Sequence, residues 1–181
     1  MERNNLLHIK LSDSISNGEL NKFHCSDDFL NQFLRRKAKK HQKELLAVTY
    51  LVIDNKENIV GYYSLSSAEM PATDIVRSRF ANGKLYQAYP AIKIGRFAID
   101  EKYKGKGYGT EIMNLIKIQF SENATQRIGS RFLLVDAYND DKVLSFYNRK
   151  NDFEFWTNED RYSKTRLMYF DLKHTLQNAT L

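Results

Sequence analysis

Ala91-Ile92-Lys93-Ile94-Gly95-Arg96-Phe97-Ala98-Ile99-Asp100-Glu101-Lys102-Tyr103-Lys104-Gly105-Lys106-Gly107-Tyr108-Gly109-Thr110 is the stretch on which the fold turns. Ala91 to Ile99 reads as a strand, and Gly105, Gly107 and Gly109 then alternate with Lys106 and Tyr108. From Thr110 the apolar residues Ile112, Met113, Leu115, Ile116, Ile118 and Phe120 recur with helical spacing. The order is strand, glycine loop, helix. Glycine admits left-handed backbone angles and lets a ligand approach the main chain. A helix start leaves backbone N–H groups unpaired, and the aligned peptide dipoles favour an anion there. A pyrophosphate would take amide bonds from about residues 105 to 110 on this reasoning. Lys104 and Lys106 stand ready at the rim, and Thr110 adds a hydroxyl.

Two other phosphate loops fit less well. A Walker A loop ends on Lys-Ser or Lys-Thr, whereas Gly109 is followed directly by Thr110. A dinucleotide-binding loop follows the first strand of a βαβ unit, whereas several strand candidates precede this one.

Outward from the loop, Leu6 to Leu11 alternates as a first strand, and Ser12 to Lys22 is a polar stretch. Ser26 is the expected N-cap of a helix with Asp27 and Asp28 in its first turn. Its apolar face would be Phe29, Leu30, Phe33, Leu34 and Ala38, and its exposed side Arg35, Arg36, Lys37, Lys39, Lys40 and Lys43. Leu45 to Ile53 and Asn58 to Leu65 read as strands joined by a turn at 54–57. Asp74 to Phe80 reads as a short helix or a loop, and Gly83 as a turn. Phe132 to Val135 suits a central strand, and Asn139 or Asp140 caps a second helix holding Val143, Leu144, Phe146 and Tyr147. Phe153 to Trp156 and Thr165 to Leu172 are extended. The expected fold is α/β or α+β with a mixed sheet, one domain over 1–181.

The 181 residues are 42% apolar and 13% aromatic, enough for a core without metal or disulfide. The lone cysteine, Cys25, excludes an intrachain disulfide and a cysteine-rich zinc module, and its simplest role is a small buried residue. No metal site is expected. Twenty-eight Lys and Arg against 22 Asp and Glu leave a charge of +6, which favours anionic partners without choosing among them. No window approaches the roughly twenty apolar residues of a membrane span. The first residues lack a signal-peptide core, so a soluble, cytoplasmic protein is expected.

Ile94-Gly95-Arg96-Phe97-Ala98-Ile99-Asp100 with Tyr103-Lys104-Gly105-Lys106-Gly107-Tyr108-Gly109 resembles motif A of the GCN5-related N-acetyltransferases. The likeness continues through Leu133-Leu134-Val135-Asp136-Ala137 and Ser145-Phe146-Tyr147-Asn148-Arg149-Lys150-Asn151-Asp152-Phe153. It implies a mixed, mostly antiparallel central sheet flanked by helices. It further implies acetyl-CoA as cosubstrate, with its pyrophosphate on residues 104–110 and its pantetheine arm along Phe97, Ala98 and Ile99. Lys104 departs from the family's usual Gln or Arg, keeping the charge but not the planar geometry. Tyr147 stands at the family's tyrosine position and is the acid expected to protonate the leaving thiolate. Asn139 is either a pantetheine contact or a plain N-cap. Glu44, Glu69 and Asp136 are base candidates, and a neutral amine can also arrive without a base.

Within the family the chain looks most like toxin-type acetyltransferases that modify aminoacyl-tRNA. The segment Phe23-His24-Cys25-Ser26-Asp27-Asp28-Phe29-Leu30 and the basic helix through Lys39-Lys40-His41-Gln42 carry that likeness. It implies a homodimer, a small antitoxin partner, and tRNA phosphates on Arg35, Arg36 and Lys39. A solvated helix face explains the same cations. A housekeeping acetyltransferase for a small amine, peptide or protein and a non-catalytic acyl-CoA-binding module are the alternatives.

Overall fold

A computed structural model of the protein describes residues 6–80 and 86–178; the expected turn at Gly83 lies outside them. The strand order is β1-β2-β3-β4-β5-β7-β6. The strands are Leu7–Lys10 (β1), Val48–Ile53 (β2), Ile59–Pro71 (β3), Ala88–Ile99 (β4), Phe132–Tyr138 (β5), Glu154–Phe155 (β6) and Thr165–Asp171 (β7). The β1–β2, β2–β3, β5–β7 and β6–β7 pairs are antiparallel. The β4–β5 pair is parallel, matching Ala91–Lys93 with Phe132–Leu134. This is the mixed, mostly antiparallel sheet that the family resemblance implies.

The chain divides into two compact units, 1–66 with 94–112 and 67–93 with 113–181, so β3 and β4 each contribute residues to both. In the first unit, helix α1 (Asn17–Lys22) occupies the stretch expected to be merely polar. Ser16 accepts from the Glu19 N–H and Glu19 accepts from the Ser16 N–H, a reciprocal capping box that ties down the first turn. The next helix begins one residue later than expected. Asp27, not Ser26, caps α2 (Asp28–Gln32), its carboxylate accepting from the N–H groups of Phe29 and Leu30. The charged acceptor suits the positive end of the dipole better than a hydroxyl. A π-helical turn, Phe33–Lys37, leads into α3, Ala38–Lys43.

Leu11, Leu20, Phe23, Phe33, Leu34, Ala38, Leu51, Tyr62 and Ala98 form this unit's core. The Tyr62 hydroxyl donates to the Leu30 carbonyl at 2.8 Å, so its burial leaves no polar orphan. A side chain at Gly61 would place its Cβ 2.7 Å from the Ala98 carbonyl oxygen. Glycine lets β3 lie that close to β4.

The second unit packs Met70, Val76, Tyr89, Ala91, Phe132, Leu134 and Tyr169 into its own core. Helix α4 spans Asp74–Arg77, and α5 spans Tyr108–Gln126, beginning at Tyr108 rather than at Thr110. Helix α6 is Asp141–Asn151, and α7, Lys173–Asn178, was not foreseen from the sequence. Asp171, 2% exposed, receives two bonds from Arg131, at 2.6 and 2.7 Å. Burial alone would raise its carboxyl pKa; the Arg131 bonds and the Lys173 N–H outweigh it and hold the group below its ordinary value.

Candidate active site

Between β4 and α5 the chain makes a 3-10 turn, Glu101–Tyr103, capped by the Asp100 carboxylate, which accepts from the Lys102 N–H. Asp100 also accepts from the His24 N–H at 2.9 Å, and the Glu101 N–H returns to the His24 carbonyl. The base of the glycine loop is therefore braced before the glycines begin. Gly105 and Gly107 then take φ of +75° and +89°. An L-residue would be strained at either place, although open space surrounds both. This is the conformational use that the alternating glycines foretell.

The loop's amides divide into two sets. The Lys106 N–H returns to the Tyr103 carbonyl, and those of Thr110 and Glu111 to the Gly107 carbonyl. The expectation that all amides from 105 to 110 serve a ligand is thus too broad: the Thr110 N–H closes the first turn of α5. The N–H groups of Gly105, Gly107 and Gly109 have no backbone acceptor among the described residues. Three donors at the positive end of a helix of 19 residues form a fitting cradle for a diphosphate.

The rim lysines are held in place. Lys104 Nζ donates to Ser26 Oγ at 3.0 Å and lies 3.6 Å from Glu101. Lys106 Nζ donates to the Lys102 carbonyl and sits 5.9 Å from the centre of the Tyr103 ring. The Tyr103 hydroxyl donates to Asp54 at 2.8 Å; burial first, then that carboxylate, pushes its pKa up to about 12. A cavity of about 380 Å³ opens under this turn, lined by Lys102 and Tyr103 together with Ile9, Phe23 and Ile59, but by no residue of the loop itself.

Phe97, Ala98 and Ile99 are the last residues of β4, with Ala98 buried. Arg96, just before them, places its guanidinium carbon 5.1 Å from the Phe29 ring centre and 4.9 Å from that of Phe33.

In the second unit, Asp140 rather than Asn139 caps α6, accepting from the N–H groups of Lys142 and Val143. The Asn139 side chain instead donates to the carbonyls of Arg161 and Ser163, at 2.8 and 2.9 Å. Its amide nitrogen holds a loop, which removes that donor from the expected pantetheine contact. Tyr147 is 6% exposed, with Phe146 and Phe153 ring centres 5.1 and 5.5 Å away. Burial pushes its phenol pKa well up, so the hydroxyl stays protonated at physiological pH.

The end of α6 is fastened by several bonds. Asp152 adopts φ of +55°, and the Phe153 N–H donates to the Tyr147 carbonyl at 3.0 Å. Asn148 donates to the Phe153 carbonyl and Asn151 to the Phe146 carbonyl, both at 2.7 Å. Lys117, buried on α5, donates to the Asn151 carbonyl at 2.6 Å, and desolvation lowers its pKa. Sequence reasoning passed over this lysine; its place on the apolar side of an otherwise regular helix was the available signal.

The remaining candidates separate clearly. Asp136 is paired to Lys93 at 2.5 Å, while Glu44 and Glu69 are exposed. Cys25 is buried and its thiol is raised first by desolvation, in keeping with a packing role. Arg35 and Lys39 do not belong to the exposed face. Arg35 donates to the carbonyls of Phe23 and Asn21 at the end of α1, and Lys39 to those of Ile15 and Asp13. Four residues apart, they share one helix side and satisfy main-chain oxygens there. Arg36, Lys37, Lys40 and Lys43 are exposed. No group of three or more His, Cys, Asp or Glu side chains able to hold a metal occurs among the described residues. No helix there is long and apolar enough to cross a membrane.

Residues 19–153, which hold the loop, β5 and all of α6, match the model of the acetyltransferase (GNAT) family. The chain belongs to that family. Over 120 residues this acetyltransferase is 27% identical to the probable toxin TacT of Sinorhizobium fredii (strain NBRC 101917 / NGR234), a stretch covering 64% of each protein. Among solved structures it is similar to AtaT complexed with acetyl-methionyl-tRNAfMet (TM-score 0.77, 21% identity, 96% of this chain and 98% of the other). It is also similar to a mutant AtaT toxin bound to the C-terminus of the antitoxin AtaR and acetyl-CoA (TM-score 0.76, 20% identity, 98% and 100%).

Proposed function

We propose that this acetyltransferase moves the acetyl group of acetyl-CoA to the amino group of an aminoacyl-tRNA, as the toxin of a toxin–antitoxin pair. The observation that carries the cosubstrate is the loop: Gly105, Gly107 and Gly109 offer N–H groups with no backbone acceptor at the head of α5. They hold the pyrophosphate, with the Thr110 hydroxyl and the rim lysines beside them, and Phe97 to Ile99 carry the pantetheine arm. The likeness to AtaT, solved with an acetylated methionyl-tRNA, supports the acceptor.

The thioester is already activated, so no enzyme nucleophile is required. The neutral amine attacks the acetyl carbonyl carbon, a C–N bond forms, and the C–S bond breaks. Tyr147 gives its phenolic proton to the departing sulfur. The proton lost by the amine leaves through water and restores the phenol. Burial suits Tyr147 to this task, because it keeps the donor neutral and fixes its ring. Exposed Arg36, Lys37 and Lys40 supply the charge that follows the RNA backbone; Arg35 and Lys39 hold the scaffold behind them. A homodimer, a cytoplasmic location and a small antitoxin complete the reading.

Labelled acetyl-CoA, supplied with separate pools of charged tRNA, peptides and polyamines, tests it. Label on charged tRNA is the expected product. Label only on a small amine or peptide replaces it with a housekeeping role, and acetyl-CoA binding without transfer replaces it with a binding module.

A further inference from the structure

Arg96 stands out in the first unit as a cation placed over two rings without a carboxylate partner. It is half-buried on β4, and no carboxylate lies within ion-pair distance of it among the described residues. Nη1 donates to the carbonyl of its own neighbour Gly95, while Nε is buried without a partner. Two aromatic rings of the α2–α3 segment, Phe29 and Phe33, lie within about 5 Å of the guanidinium carbon. The inner ring, Phe33, is 2% exposed, but Phe29 is 49% exposed, unusual for a phenylalanine that packs on a charge. Lys37 Nζ stands 5.8 Å from the centre of the same ring. A half-buried guanidinium lying over two rings, with no carboxylate partner and a second cation beside an exposed ring, is suited to an oxyanion.

We infer that Arg96, with Phe29 and Lys37, forms a subsite for the terminal phosphodiester at the acceptor end of the aminoacyl-tRNA. This rests on the proposed tRNA reading and adds the place where the RNA end is gripped. The alternative oxyanion is a phosphate of CoA itself. Separate KM values for acetyl-CoA and for tRNA distinguish the two. The pantetheine arm along Phe97 to Ile99 brings the thioester, and with it the incoming amine, toward the Arg96 end of the strand. The last phosphodiester of the acceptor is the anion nearest that amine.

Arg96→Met keeps the stem between the rings and deletes the charge; Arg96→Lys keeps the charge and deletes the fork. In steady-state transfer from acetyl-CoA to charged tRNA, Arg96→Met should raise the tRNA KM roughly tenfold while the acetyl-CoA KM stays within about twofold, and Arg96→Lys should fall between. The dependence of log(1/KM) for tRNA on log salt should flatten by about one ion in the Met variant and less in the Lys variant, a change that mere loosening of packing would not produce. Equal tRNA KM and salt slope in all three proteins overturns the subsite and leaves the tRNA reading standing. A rise in the acetyl-CoA KM alone assigns Arg96 to the cosubstrate and also overturns it. Failure of the unmodified enzyme to label any charged tRNA is the separate result that removes the tRNA reading and this subsite together. Should the Met variant not fold, the Lys variant carries the same comparison.

Discussion

On the proposed function, the turn from Lys104 to Gly109 offers a ligand its main-chain amides, and the side chains around them are either absent or tied elsewhere. Around Tyr147 the order is reversed: one phenol is offered, and main-chain and amide groups of α6 are spent holding it. The loop is exposed and needs a backbone shape that only glycine adopts cheaply. The tyrosine is buried and needs exact neighbours rather than a special backbone. The first arrangement tolerates changes of side chain and resists changes of conformation; the second does the opposite.

The sharpest break of this contrast is Tyr147→Phe. The ring contacts with Phe146 and Phe153 survive, and only the hydroxyl is lost. Loss of a general acid lowers kcat by about 10²–10⁴-fold. The KM for acetyl-CoA should stay within about twofold and the melting temperature within a few degrees, since only the volume of one oxygen is removed. Stopped-flow or radiolabel transfer at saturating acetyl-CoA gives the number. A kcat equal to that of the unmodified enzyme takes the acid role from Tyr147.

A methyl group placed in the loop should act on the other parameter. At Gly107, φ of +89° with nothing within 4 Å of an added Cβ means that Gly107→Ala is penalised by backbone conformation and not by a clash. Left-handed geometry costs an L-residue about 1–2 kcal/mol, which corresponds to roughly a tenfold loss of acetyl-CoA affinity if the loop relaxes away from the binding shape. Isothermal titration with acetyl-CoA measures it, and Gly129→Ala serves as control, because that glycine also faces open space but has no positive φ. Equal losses in both variants would separate the affinity from the loop's shape.

The same contrast explains what could be read without coordinates. The β4–loop–α5 order follows from local chemistry: an apolar run, three glycines and a helical period, each legible within a few residues. Helix α1 was legible too, because Ser16 followed by Glu19 is a capping box inside a stretch that looks merely polar. The direction of the cations on α2 and α3 was not. Arg35 and Lys39 turn inward because the carbonyls of Asn21, Phe23 and Ile15 come from elsewhere in the chain, and no pattern around residues 35–39 announces them. Asp152 hid for a related reason: its left-handed φ closes α6 where composition would call for glycine or asparagine. Asn139 against Asp140 as cap was open until the carbonyls of Arg161 and Ser163 claimed the asparagine.

The mildest expected effect belongs to Lys104, the position where the loop departs from the family's usual residue. Its ammonium is already engaged by Ser26 and Glu101, and the side chain is largely solvent-exposed. An exposed ion pair contributes at most about 1 kcal/mol, so Lys104→Ala should weaken acetyl-CoA by no more than roughly fivefold, less than Gly107→Ala. The loss should shrink further as salt is raised, since the phosphate and the ammonium meet in solvent. Titration of both variants at two ionic strengths sets the order. A larger loss at Lys104 than at Gly107 would mean that this loop holds its anion by side-chain charge, and the division between a main-chain cradle and a side-chain acid would no longer describe the site.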